Sequence, residues 1–250
     1  MSYTRRDLIT LMGAMGLTHT NAAFGLGPSS LFDVTELQLE EGTLSRPSAW
    51  KRALYELVSA TSVESSLSVF QVNPMDVAIF QRPFAVLMGS GPLPKLNDES
   101  ILNLQRFIQS GGFIFVDDTT GATEGAFYDS FQRLVQRIFP TRPLAPLGDD
   151  HSIFRSYFLL DRPLGRTAAR NYLEGVTIGH TTPIVYCHND LSGALERSQT
   201  GQNRYPVVPG GETQRRESIK LAINLILYSL TSNYKHDVAH VAELIREGRL

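Results

Sequence analysis

The feature that most constrains this chain is a run of four apolar residues, Phe113-Ile114-Phe115-Val116, closed in front by Gly111-Gly112 and behind by Asp117-Asp118. An unbroken apolar run of this length, bounded by glycines and acids, marks a strand covered on both faces, as in the centre of a parallel sheet. Parallel strands need crossover connections, and the sequence supplies amphipathic helices for them. Pro47-Ser48 opens one with Trp50, Ala53, Leu54 and Leu57 on a single face. Asn97 or Asp98 caps another, whose apolar positions Ile101, Leu102, Leu104, Phe107 and Ile108 lead to Gly111-Gly112. A third covers Phe127 to Ile138 and stops before Pro140, and the stretch Arg215 to Leu230 is apolar on nearly every side, which predicts deep packing. Short strands are expected at Ser66 to Phe70, Phe84 to Met88, Val176 to Ile178 and Pro183 to Cys187. Phe32 to Leu39 alternates apolar and polar residues, the period of a half-exposed edge strand. Residues 140–165 read as irregular, and residues 192–211 as a polar, mobile loop. Strands alternating with helices predict an α/β fold, a three-layer sandwich with a mostly parallel sheet. No internal repeat or domain linker interrupts it.

Composition narrows the function classes. The chain has 250 residues with 23 Lys+Arg against 25 Asp+Glu, a formal charge of -2, and its basic residues are dispersed. That balance gives no electrostatic footprint for nucleic acid, and no stretch reaches the roughly 18–20 continuous apolar residues of a membrane span. The single cysteine, Cys187, excludes an internal disulfide and a cysteine-based zinc cluster.

Residues 1–27 read as an address. Arg5-Arg6 precedes a short, weakly apolar run from Leu8 to Leu17, and the small residues Asn21-Ala22-Ala23 offer a cleavage point. This pattern resembles a twin-arginine export signal. The expected compartment is the periplasm, with the protein held at the membrane only if the signal stays uncleaved, and residues 28–250 are expected to form a single α/β domain.

Several separated strings carry a family resemblance: Gly111 to Asp118, His151-Ser152-Ile153-Phe154-Arg155 with the aromatic stretch behind it, Leu173 to Val176, Val185-Tyr186-Cys187-His188-Asn189-Asp190-Leu191, Asn224 to Thr231 and the tail from Asn233. Together they resemble an uncharacterised bacterial domain family, one of the domains of unknown function. That family occurs in exported single-domain proteins and at the C-terminal end of membrane proteins of the aerotolerance-operon type. The resemblance spans roughly residues 31–249 and implies a flavodoxin-like fold similar to class I glutamine amidotransferases. It implies no reaction. An amidotransferase needs an exposed cysteine on a glycine-flanked turn and a histidine–glutamate pair to activate it. Cys187 has no flanking glycine and sits in an apolar strand, so that mechanism is disfavoured.

Chemistry in such sheets gathers beyond the carboxyl ends of the strands. The candidates there are Asp117-Asp118 and His188-Asn189-Asp190, together with His151 and Arg155 from the irregular segment. Asp118, His151 and His188 are the catalytic candidates; Asp117, Asp118, Arg155, Asn189 and Asp190 are ligand-binding candidates. Adjacent strand residues face opposite ways, so at most one of Asp117 and Asp118 can face any given pocket. Each of these residues also has a plain reading as a turn or cap residue. His236 and His240, four apart on one helix, have metal-compatible spacing but read better as a solvated face, and no metal or cofactor is assigned. Two functions follow. The first is an exported, non-catalytic binding or assembly module with cell-envelope partners; the alternative is a hydrolase-like enzyme using Asp118, His151 and His188, with or without a metal.

Overall fold

The structure is a computed structural model that describes residues 31–39 and 44–246, with side chains described as far as Ser232. The export-like segment 1–27 and the side chains of His236 and His240 lie outside the described residues. Seven strands form one sheet: β1 (Val34–Leu37), β2 (Val69–Val72), β3 (Phe84–Gly89), β4 (Phe113–Asp118), β5 (Ala145–Pro146), β6 (Glu174–Ile178) and β7 (Thr181–Cys187). Their order is β2-β1-β3-β4-β7-β6-β5. The first five strands in that order are parallel, and β6 and β5 add an antiparallel flank. Ranked by chain order, the parallel strands run 2-1-3-4-5, the flavodoxin-like arrangement.

Helices cover both faces. On one lie α1 (Pro47–Ala60), the short α4 (Leu191–Leu195) and α5 (Gly211–Arg246); on the other lie α2 (Asp98–Gln109) and α3 (Ala126–Ile138). β4 shows why an apolar run is required. Phe113 and Phe115 enter the core under α1 and α5, while Ile114 and Val116 enter the core under α2 and α3. Trp50 of α1 meets Phe84 and Phe115 edge-on or tilted, each with ring centroids 5.7 Å apart. No helix among the described residues is long and apolar enough to cross a membrane.

Three expectations change. β1 is not an edge strand: it lies between β2 and β3, with all four residues buried. Its alternation misleads because its polar residues are buried too. Glu36 accepts from Ser45 and from the Arg46 amide at 3.1 Å, and burial pushes its carboxyl up from the usual range. The segment 192–211 begins as α4, and the rest is tied down by an Arg197–Asn203 bridge and by the Arg204 amide on the Glu196 carbonyl at 3.0 Å. Finally, α5 starts at Gly211 and continues to Arg246, well past the expected end at Leu230.

Candidate functional site at the carboxyl ends of the strands

Because β3 and β4 pair from Phe84–Phe113 to Gly89–Asp118, and β4 pairs with β7 from Ile114–Ile184 to Asp117–Cys187, the segments after β4 and β7 emerge side by side. Glu174 opens β6 opposite Tyr186, so the antiparallel flank adds an acid at the same end. The alternation of strand side chains then divides the charged residues between two sides.

Asp117 turns toward α4. It accepts from the Leu191 amide at 2.8 Å, the Ser192 amide at 2.7 Å and the Ser192 hydroxyl, filling the amino end of that short helix. Burial, and secondly the neighbouring Asp190 carboxylate, push the Asp117 carboxyl up to about 7 against these three bonds. Asp190 sits in the left-handed region with φ 54° and ψ 62°, a conformation that aspartate tolerates better than most residues, and it caps α4 through the Gly193 amide at 2.9 Å. Its fully buried carboxylate takes Arg46 at 2.5 Å and Arg166 on its other oxygen. Arg46 also reaches Glu196 at 3.1 Å. Burial opposes charge on Arg46, but Asp190 and Asp117 outweigh it and hold the guanidinium above its ordinary value. The ring of Tyr205 lies beneath Arg46, Arg166 and Arg204, with centroid distances of 5.2, 6.0 and 5.6 Å.

Asp118 faces the other way. It accepts the Tyr186 hydroxyl at 2.8 Å and the Thr120 amide and hydroxyl at 2.9 and 2.6 Å. His188 lies on the same side, with Nε2 3.0 Å from Glu174 and Nδ1 3.3 Å from the Ala122 carbonyl. Tyr128 gives its hydroxyl to the second oxygen of Glu174 at 3.0 Å, and burial with that acid pushes the phenol up to about 12. The ring of His188 packs on Tyr128 and Tyr186 at 4.9 and 4.8 Å. Asn189, between the two sides, knots the loop before β6. Its side chain bonds the Pro163 carbonyl at 3.0 Å and the Arg170 amide and carbonyl at 2.9 and 2.8 Å. Gly165 packs so closely here that a Cβ would lie 2.1 Å from the Asn189 oxygen.

His151 joins neither group. It caps the 3₁₀ turn Ser152–Arg155 and meets Thr182 at 3.0 Å, at the start of β7, whereas His188 follows that strand's end. Six residues of extended chain between Thr182 and His188 correspond to about 20 Å. Burial lowers the His151 imidazole from its ordinary value. Arg155 is exposed on the same turn. Asp118 and His188 therefore share one side through Tyr186, while His151 is held elsewhere. Cys187 is buried in the sheet core, and burial with Asp117 nearby raises its thiol well above the ordinary value. Among the described residues, no group of three or more His, Cys, Asp or Glu side chains is arranged to hold a metal ion.

Sequence reasoning missed Glu36, Arg46, Arg166, Arg170, Glu174 and Glu196. Only Arg46 carried a local signal, as a charged residue directly before a Pro-initiated helix. Arg215, at the start of the stretch expected to pack deeply, is buried. It bonds Glu212 at 2.9 Å and the Ala194 and Tyr205 carbonyls at 2.5 and 2.8 Å.

The fold and this arrangement define a three-layer α/β domain with two separate polar clusters at the carboxyl end of its sheet. Residues 35–230 match the family model described as Domain of unknown function (DUF4159), and the chain belongs to that family. A search of curated proteins finds no match to the sequence.

Proposed function

We propose that the protein is exported and works in the cell envelope as a non-catalytic binding or assembly module, built on a scaffold akin to the amidotransferases. One observation carries this reading: the carboxylates nearest the strand ends are already engaged by the chain itself. Asp117 serves the amino end of α4, and Asp190 is divided between two arginines and the Gly193 amide. A carboxylate so engaged and fully buried organises structure. The twin arginines Arg5-Arg6 support export, and the buried thiol of Cys187 speaks against cysteine chemistry.

The hydrolase alternative draws support from the pair His188–Glu174 at 3.0 Å, steadied by Tyr128. One experiment separates the two. The purified protein is assayed on ester, amide and phosphate-ester panels beside His188→Gln, with melting temperatures recorded for both. The module reading expects no turnover above buffer in either protein. Turnover that disappears in His188→Gln at unchanged melting temperature installs the hydrolase. For export, Arg5→Lys with Arg6→Lys is expected to leave the protein in the cytoplasm, read by cell fractionation.

A further inference from the structure

The loop between β4 and α3, residues 119–125, lies against His188. Its first residues are anchored, since Thr119 bonds the Gly89 carbonyl through both amide and hydroxyl at 2.9 Å, and Thr120 bonds Asp118. Beyond that anchor, the loop is held almost entirely through its carbonyl oxygens. Arg166 Nη2 meets the Thr120 oxygen at 3.4 Å, Thr167 Oγ1 the Gly121 oxygen at 3.4 Å, His188 Nδ1 the Ala122 oxygen at 3.3 Å, and Arg170 Nη2 the Thr123 oxygen at 3.3 Å. All four distances are at the long end of the hydrogen-bond range. Residues 119–125 carry no large apolar side chain of their own, and Thr123, Glu124 and Gly125 are exposed. Gly121 turns the chain with φ 67° against Thr167, and nothing lies within 4 Å of where a Gly125 Cβ would stand.

The surface under the loop is therefore lined by two guanidiniums, a hydroxyl and an imidazole. Its charges are not all matched. Asp190 faces Arg166 Nε, and Glu174 faces His188 Nε2. Among the described residues, Arg170 pairs with no carboxylate: it meets the Thr123 carbonyl and the Tyr172 ring at 5.6 Å, and its buried Nε has no partner. A buried N–H without an acceptor is costly, so this surface presents an unmet demand for acceptors.

We propose that this surface is a binding site for a small oxyanion, a phosphate or carboxylate group, which takes the place of the loop carbonyls on Arg166, Thr167 and Arg170 when the loop swings out. The carbonyl oxygens stand where ligand oxygens would be. An anionic acceptor makes shorter and stronger bonds to guanidinium than a neutral carbonyl does. The closed loop is the competitor, so apparent affinity is the intrinsic affinity reduced by the fraction of open loop. The inference goes beyond the assembly reading and does not depend on any protein partner.

The test titrates the full chain with inorganic phosphate and, separately, with succinate. Sodium chloride at matched ionic strength serves as control, and calorimetry and amide hydrogen exchange are the readouts. Saturable binding of either anion is expected, with faster exchange in the bound state at the Gly121 and Ala122 amides, which bond Asp118 and Thr120 in the closed loop. Saturation by phosphate alone identifies a phosphate ligand, and by succinate alone a carboxylate one. Arg170→Gln is expected to weaken binding by about tenfold or more, because it removes a charged donor. Thr167→Val should weaken it a few-fold, and Ala122→Gly, which loosens the loop, should tighten it about two- to threefold. Signals that merely follow ionic strength, or wild-type binding by a folded Arg170→Gln, overturn the proposal.

Discussion

The two sides of the sheet's carboxyl end differ in how tightly they are held. On the α4 side, buried carboxylates meet buried donors at 2.5–2.8 Å: Asp117 on α4 amides, Asp190 on Arg46. On the loop side, the contacts to residues 120–123 are 3.3–3.4 Å long and go to neutral carbonyls. Both sides use the same two segments, since Asp117 and Asp118 are adjacent and His188 and Asp190 are two apart across a turn. One side closes the fold around its charges, where an unpaired ion is costly. The other keeps cationic donors under a removable cover.

The sharpest way to break this comparison is Asp190→Ala. It takes Asp190 from both Arg46 and Arg166 and leaves the buried Arg46 guanidinium with Glu196 alone, and breaking a buried pair costs about 3–5 kcal/mol. Urea unfolding should register that loss, and a cost below about 1 kcal/mol would mean that the α4 side is not the tighter one. Ser192→Ala comes next. It removes a hydrogen bond to a buried carboxylate, worth about 1.5–3 kcal/mol, and is read the same way. The pH dependence sharpens the point further. The folded-state carboxyl of Asp117 is raised from 3.8 to about 7, so the folded chain binds a proton that the unfolded chain releases. The resulting stability is fully present below the unfolded value and is lost as pH rises through the folded one. The melting temperature is expected to fall by a few degrees from about pH 5 to about pH 8, and Asp117→Asn should flatten that slope whatever it does to absolute stability. The smallest effect belongs to the loop side. Thr167→Val, which removes one long bond shared between the Gly121 and Asn189 carbonyls, should cost under about 0.5 kcal/mol, and a larger loss in urea unfolding would place this loop among the fold's supports.

Much of the fold was legible because its signals are local. The apolar run of β4, the proline at the start of α1, the Asn97 cap of α2 and the apolar stripe of α3 each depend on neighbours within a turn or a strand. The opposite facing of Asp117 and Asp118 was legible for the same reason. β1 was misread because alternation reports polarity and not exposure. Glu36 is polar and buried, and its partners Ser45 and Arg46 lie across a connection that the strand pattern does not encode. His151 was grouped with His188 on chemistry alone. Placing them at opposite ends of β7 required knowing where the irregular segment crosses the sheet.

Local sequence pattern was enough for the central strands, the buried faces of α1, α2 and α3, the family resemblance and the pair of residue clusters that follow β4 and β7. The packed fold was needed to show that Arg46 meets Asp190 across 144 residues, that Glu174 meets His188, and that Arg166 and Arg170 lie beneath the loop from β4. Periodicity and capping are set within a few residues, whereas the partner of a buried charge is set by which strands are neighbours in the sheet. That order is a property of the whole packed chain, because each crossover commits the next strand to a place where its charges must find partners or remain unpaid.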